Sequence, residues 1–158
     1  MDESTVRDAF ARLPGAVVLV ATRGAGGFRG ITATSFVAVS LEPPLVLVNL
    51  DRHSATRDAI EEAGAFTVSV LGRGQQFLAD RFAGQAPAVE PSWREVPHRL
   101  GEGGLPLVEG AAGWFECRLQ SHQEAGDHEI LLGLVTAVER GPGEPLIHWE
   151  RAYWTLTS

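Results

Sequence analysis

Three short stretches carry residues whose types and spacing could do chemistry. Residues 30–35, GITATS, place three hydroxyls, Thr32, Thr34 and Ser35, almost consecutively in a β-branched, apolar run. Residues 49–56, NLDRHSAT, end a strand-like run with Arg52, then set Ser54 and Thr56 where a helix would begin. The start of a helix exposes unpaired N–H groups and a partial positive charge, so two hydroxyls and a guanidinium there could hold a phosphate. Residues 125–128, AGDH, put His128 on a turn between two strand-like runs, where it could meet an anionic or reducible ligand. Each stretch also has a plain structural reading. Thr suits strands, Ser54 can simply cap its helix, and Gly and Asp are ordinary turn formers beside an exposed histidine. Local pattern alone leaves both readings open.

Composition removes several other chemistries. All thirteen basic residues are arginine, which excludes a Schiff-base amine and a Walker-type phosphate lysine. Any phosphate or carboxylate must be met by Arg, hydroxyls or backbone N–H groups. Cys117 is the one cysteine, so an intrachain disulfide and a Cys-rich zinc site are excluded. Cys117, His122 and His128 match no usual zinc spacing, and no metal is expected. Gly24, Gly26 and Gly27 precede no helix and make no dinucleotide fingerprint. A formal charge of −7 without a basic run argues against a nucleic-acid partner. No apolar run approaches the roughly 20 residues that span a bilayer, so no membrane association is expected. The N-terminal MDESTVRDAF lacks the basic-then-apolar order of a secretory signal, and a cytoplasmic setting fits.

The elements that must position these residues follow from periodicity. Ser4 to Leu13 spaces Val6, Phe10 and Leu13 as one helical face. The runs AVVLVAT, residues 28–41 and residues 44–50 read as strands, with Glu42-Pro43-Pro44 between the last two. If residues 31–41 form one strand, Ser35 shares a face with Ile31 and Ala33, and Thr32 and Thr34 share the other. SATRDAIEEAG reads as a helix with Ser54 as N-cap, AFTVSVL as a strand, and GQQFLADRFAG as a second helix. Residues 85–108 read as a long loop holding the isolated Trp93. GWFECRLQSHQ, EILLGLVTAVE and RAYWTLT close the chain as strands. Six or seven strands, short helices and no βαβ alternation favour a β-barrel in one domain over residues 1–158.

In order, GITATSFVAVSLEPPLVLVNLDRHSAT, QQFLADRFAG, GWFECRLQSHQEAGDHEILLGLV and PLIHWERAYWTL resemble the flavin reductase-like, FMN-binding split-barrel family. The resemblance runs over nearly the whole chain. It implies a mainly β fold with short helices, an antiparallel six-stranded split β-barrel working as a homodimer. It implies reduction of FMN, with FAD possible, by NADH or NADPH, and delivery of reduced flavin to a separate flavin-dependent monooxygenase. A non-enzymatic FMN-binding or electron-carrier protein of the same fold is the alternative.

By the same resemblance, Thr32, Ala33, Thr34 and Ser35 match the segment that meets the flavin ring. Leu50, Asp51, Arg52, Ser54 and Thr56 match the phosphate and ribityl segment, and Arg81 and Phe82 match an Arg-Phe pair on the helix that follows. His128 matches a histidine beside the nicotinamide site, where it would position the dinucleotide rather than act as a base. Thr34 stands where many relatives have Asn, which places a change of hydrogen bonding at the flavin's polar edge.

Overall fold

The computed structural model describes residues 1–83 and 92–157. Its elements are α1 (Glu3–Phe10), β1 (Gly15–Ala16), β2 (Val18–Gly24), β3 (Gly27–Ala33), β4 (Val37–Leu41), β5 (Pro44–Asp51), α2 (Ala55–Ala63) and β6 (Ala65–Val70). They continue with α3 (Gln76–Phe82), a 3-10 turn (Trp93–Glu95), β7 (His98–Leu100), β8 (Pro106–Val108), β9 (Gly113–Ala125), β10 (His128–Arg140), β11 (Leu146–Trp149) and β12 (Ala152–Thr155). None of the described helices is long and apolar enough to cross a membrane.

The run AVVLVAT explains the centre of the molecule. A strand that is apolar at successive positions must be covered on both faces, and β2 is. Leu19 and Ala21 pack with Leu71, Leu78, Phe82 and Trp93. Val18 and Val20 pack with Val48, Leu50, Ile60, Phe66 and Leu131. Thus α3 closes one side through Leu78 and Phe82, and α2 closes the other through Ile60.

The main sheet is antiparallel and runs β3-β2-β6-β9-β10-β5-β4. It therefore has seven strands where the family resemblance implies six, and β1-β11-β12 and β7-β8 form two smaller sheets. The edge strands β3 and β4 are consecutive in the chain, joined only by residues 34–36. So short a link spans at most about 14 Å, which forces the sheet to curl until its two edges approach. Among the described residues no ladder joins β3 to β4, and the curled sheet stays open there.

That opening corrects the expectation of one strand over residues 28–41. The chain leaves the ladder at Thr34 because Ser35 replaces it: its Oγ donates to Asn49 O at 2.9 Å and accepts from Asn49 N at 3.0 Å. A side chain that bonds both backbone groups of a facing residue competes directly with strand pairing. The simple alternation of faces from Ile31 to Leu41 therefore does not hold.

One further expectation changes. Within residues 85–108, positions 85–91 lie outside the described residues. The remainder is structured, with Trp93 buried and β7 paired to β8. The apolar face of α1 is not a core face, since the helix has no buried residue. It is instead tied to the β11–β12 hairpin: Glu150 N donates to Ala11 O at 2.9 Å and Trp149 Nε1 to Arg12 O at 3.1 Å. Ion pairs join Arg12 to Glu150 at 2.7 Å and Arg151 to Asp8 at 2.6 Å. The hairpin turn holds Glu150 at φ 51° and Arg151 at φ 60°, a mirror-image turn usually given to Asn and Gly.

Candidate functional site

The open edge of the sheet and α1 enclose a cleft of about 850 Å³. That lies within the range of roughly 300–1,000 Å³ typical of small-molecule and cofactor sites. Its floor is the end of β3 and the link after it, Ile31 to Ser35. One wall is the end of β5, Asn49 to Asp51, and the rim beside it carries Asp127 and His128. The opposite wall is α1, through Glu3, Val6, Arg7 and Phe10.

Strand register brings the distant motifs together. In the β5–β10 ladder His128 stands opposite Asp51. The β9–β10 turn is a two-residue loop with Gly126 at φ 65° in its first position, a left-handed geometry that suits glycine. Arg52 N donates to Asp127 O at 3.3 Å, fastening this turn to the end of β5. His128 Nδ1 bonds Asp127 Oδ1 at 2.7 Å. The hydrogen bond from His128 and then its charge, with a smaller contribution from Arg52, hold the Asp127 carboxyl below its ordinary 3.8. Fixing Nδ1 this way orients the imidazole on the rim, where His128 stays half exposed.

The floor is made of small groups already bonded to the protein. Thr32 Oγ1 donates to Ala79 O at 2.7 Å, and the bonds of Ser35 to Asn49 are described above. Ala33 is buried in the core and Thr34 is exposed. The hydroxyls that look excessive in sequence thus shape the floor, and Thr34 alone among the four combines a polar side chain with an exposed position. Leu50 is buried, so its backbone is what it offers the cleft.

Arg52, Ser54, Thr56, Arg81 and Phe82 do not line the cleft. Asp51, which does, accepts from His53 N at 2.8 Å. Ser54 caps α2 by accepting from Arg57 N at 3.3 Å. Thr56 is buried and its hydroxyl reaches Gly30 O at 3.5 Å. Arg81 pairs with Glu95 at 3.2 Å. Phe82 packs against Trp93 with ring centroids 5.1 Å apart and ring planes tilted by 46°, inside the core. Both rings press on Gly30, where a Cβ would lie 2.9 Å from Trp93 Cζ2 and 3.1 Å from Phe82. Phe82 and Thr56 therefore support the floor strand from behind.

A charged network lies behind the same wall. Glu129, next to His128, is buried, and its carboxylate bonds His122 Nδ1 and Arg57 Nε, the latter at 3.3 Å. Arg57 also pairs with Glu61, which lies 3.5 Å from His122 Nε2. Arg57 thus joins both halves of the site: its N–H holds Ser54 Oγ, and its guanidinium grips the neighbour of His128.

Asn49 and the α1 residues Val6, Phe10, Glu3 and Arg7 were not legible as site residues. Asn49 could have been found from alternation in β5, which turns Val46, Val48 and Leu50 into the core and Asn49 away from it. Nothing local reveals that α1 faces the cleft.

The family described as "Flavin reductase like domain" matches residues 10–157. The chain belongs to this family. A Thermus thermophilus protein named "4-hydroxyphenylacetate 3-monooxygenase, reductase component" is 39% identical over 151 residues, covering 95% of this chain and 94% of that protein. A Rhizobium meliloti protein named "Probable flavin reductase" is 40% identical over 155 residues, which are 98% of this chain but 49% of that protein's length. Among solved structures, "Streptomyces globisporus C-1027 NADH:FAD oxidoreductase SgcE6 in complex with NAD and FAD fragments" superposes with a TM-score of 0.91 at 34% identity, covering 99% of this chain and 93% of that one.

Proposed function

We propose that this protein is an NAD(P)H-dependent flavin reductase that reduces FMN, with FAD as a second acceptor, and supplies reduced flavin to a separate monooxygenase. The observation that carries this reading is the cleft itself: a floor of small residues, Thr32 to Ser35, bounded by His128 on one rim and left open to solvent. A flat ring system needs small side chains and near backbone where it lies, and an open face where a second ring can stack.

Bound flavin supplies the hydride acceptor, N5, for the C4 hydride of the nicotinamide. The protein's part is orientation. Thr32, Ala33, Thr34 and Ser35 form the seat, with Leu50 and Asp51 beside it. His128, fixed through Nδ1 by Asp127, orients the nicotinamide dinucleotide. Arg52, Ser54 and Arg81 are assigned to the phosphate side, and Thr56 and Phe82 act on it only by backing the floor strand. Of these, Arg52 and Arg81 supply the positive charge. The working unit is a homodimer of single-domain chains, each folded as a split barrel.

Oxidation of NADH and NADPH, followed at 340 nm with FMN, FAD or no flavin added, tests the reading. Turnover that depends on added flavin is expected. No turnover with either nucleotide, together with flavin that stays bound through purification, would instead establish a carrier.

A further inference from the structure

The charge on the cleft lining has the wrong sign for the anionic ligands assigned to it. Among the described residues that line it, Glu3, Asp51 and Asp127 carry carboxylates, and Arg7 carries the one guanidinium. Arg52 and Arg81, which serve the flavin phosphate, lie off the cleft. A nicotinamide dinucleotide brings a diphosphate of its own, and within the cleft Arg7 is the side chain that can meet it with a full positive charge.

Helix geometry turns Arg7 towards the cleft. The residues of α1 that line it are Glu3, Val6, Arg7 and Phe10, spaced three and four apart, so one face of side chains borders the cleft and the rest of the helix does not. Packing does not use that face, since α1 has no buried residue and Phe10 is 67% exposed. The Arg7 side chain is also 67% exposed, and its ion-pair partner one turn earlier, Glu3, is 83% exposed. An exposed pair of this kind contributes little to stability, so a phosphate can take the guanidinium from Glu3 at small cost. A planar guanidinium also donates in parallel to two phosphoryl oxygens.

We propose that Arg7 is a specificity-determining residue that binds the diphosphate of the nicotinamide dinucleotide, with Glu3 as the carboxylate that the ligand displaces. His128 holds the nicotinamide end at one rim, and Arg7 meets the diphosphate from the opposite wall. The assignment rests on the reading of the cleft as a flavin reductase site. It gives the unburied helix α1 a task, which is to select a whole dinucleotide over a smaller nicotinamide.

Calorimetric titration of the FMN-loaded protein with NAD+ and with ADP-ribose tests it without turnover. Arg7→Gln should weaken both by about five- to tenfold, and Arg7→Lys, which keeps the charge, should retain most of the affinity. Glu3→Gln, which frees the guanidinium, should tighten both, and about 0.5 M salt should narrow all these differences. In turnover, Arg7→Gln should raise the KM for NADH several-fold more than the KM for 1-benzyl-1,4-dihydronicotinamide, a hydride donor without phosphate. Thermal melts of the variants should superpose, because the pair is exposed. Titrations with FMN and riboflavin separate the two phosphate sources, and Arg7→Gln should leave their affinity ratio unchanged. Unaltered NAD+ and ADP-ribose binding in Arg7→Gln, equal effects on the two hydride donors, or a changed FMN-to-riboflavin ratio overturns the Arg7 assignment and leaves the flavin site standing. Absence of both FMN binding and NADH turnover in the unsubstituted protein overturns the flavin reading and the Arg7 assignment with it.

Discussion

Removing the Arg57 guanidinium should be among the most damaging single changes to this fold, although Arg57 is a helix-surface residue by sequence. Its partner Glu129 has a side chain only 4% exposed, and that of Arg57 is 15% exposed. At their separation of 3.3 Å the attraction between unit charges is about 5 kcal/mol at an effective dielectric of about 20. The gain over solvated ions is far smaller, because both groups lose water, but breaking such a pair leaves the buried Glu129 carboxylate with His122 as its remaining partner and costs about 3 kcal/mol, the low end for a buried pair. Arg57→Met should therefore lower the unfolding free energy by about that amount. For a chain of this size the melting temperature should fall by about 10 °C. Replacing both groups, Arg57→Met with Glu129→Leu, removes the half-satisfied buried carboxylate and should recover most of the loss. Urea unfolding of the two single variants and the pair makes the test. A loss below about 1 kcal/mol in Arg57→Met, or a double variant no more stable than that single one, would refute the claim that this pair clamps α2 to β10.

Tyr153 is the only tyrosine, so its ionisation can be followed alone by phenolate absorbance. Burial, then its hydrogen bond to Asp80, raise it to about 12 from 10.0. Its contribution to stability should be complete below pH 10 and fade as the pH rises towards 12. Burial, with Glu116 adding, lifts the Cys117 thiol to about 12 from 9.0. Native protein at pH 8 should therefore leave a thiol reagent unreacted until denaturant is added, when one thiol per chain appears. His128→Ala should raise the KM for the nicotinamide nucleotide well above its effect on the KM for flavin, and equal effects would remove the role assigned to His128. Gly133→Val should destabilise by about 1–3 kcal/mol in thermal melts, because a Cβ at this position meets Phe66 Cζ at 2.6 Å.

Much of the architecture is written in local pattern. The Ser54 cap, the glycine at 64 that ends the same helix and the unbroken apolar run of β2 can each be read from a few neighbouring residues, and the structure shows them. Motifs were harder to place than elements. GITATS looked like a continuing strand because nothing local says that Ser35 will bond the backbone of Asn49, a residue 14 positions away. The pairing of His128 with Asp51 depends on register across β5 and β10, which no single segment encodes. The Arg-Phe pair divides for a similar reason: Arg81 reaches a polar partner in Glu95, and Phe82 turns inward against Trp93. Helical spacing showed an apolar stripe on α1 but could not show that it would meet a cleft rather than a core.

The strained turn at Glu150 and Arg151 gives the last strands a mechanical meaning. One wall of the cleft belongs to the first ten residues, yet that wall has no buried anchor and hangs from a hairpin about 140 positions further along the chain. The β11–β12 hairpin and α1 are thereby levers on the cleft. A load placed on α1, or a cut that frees this hairpin, would pull on the ligand-facing wall without touching any residue of the floor.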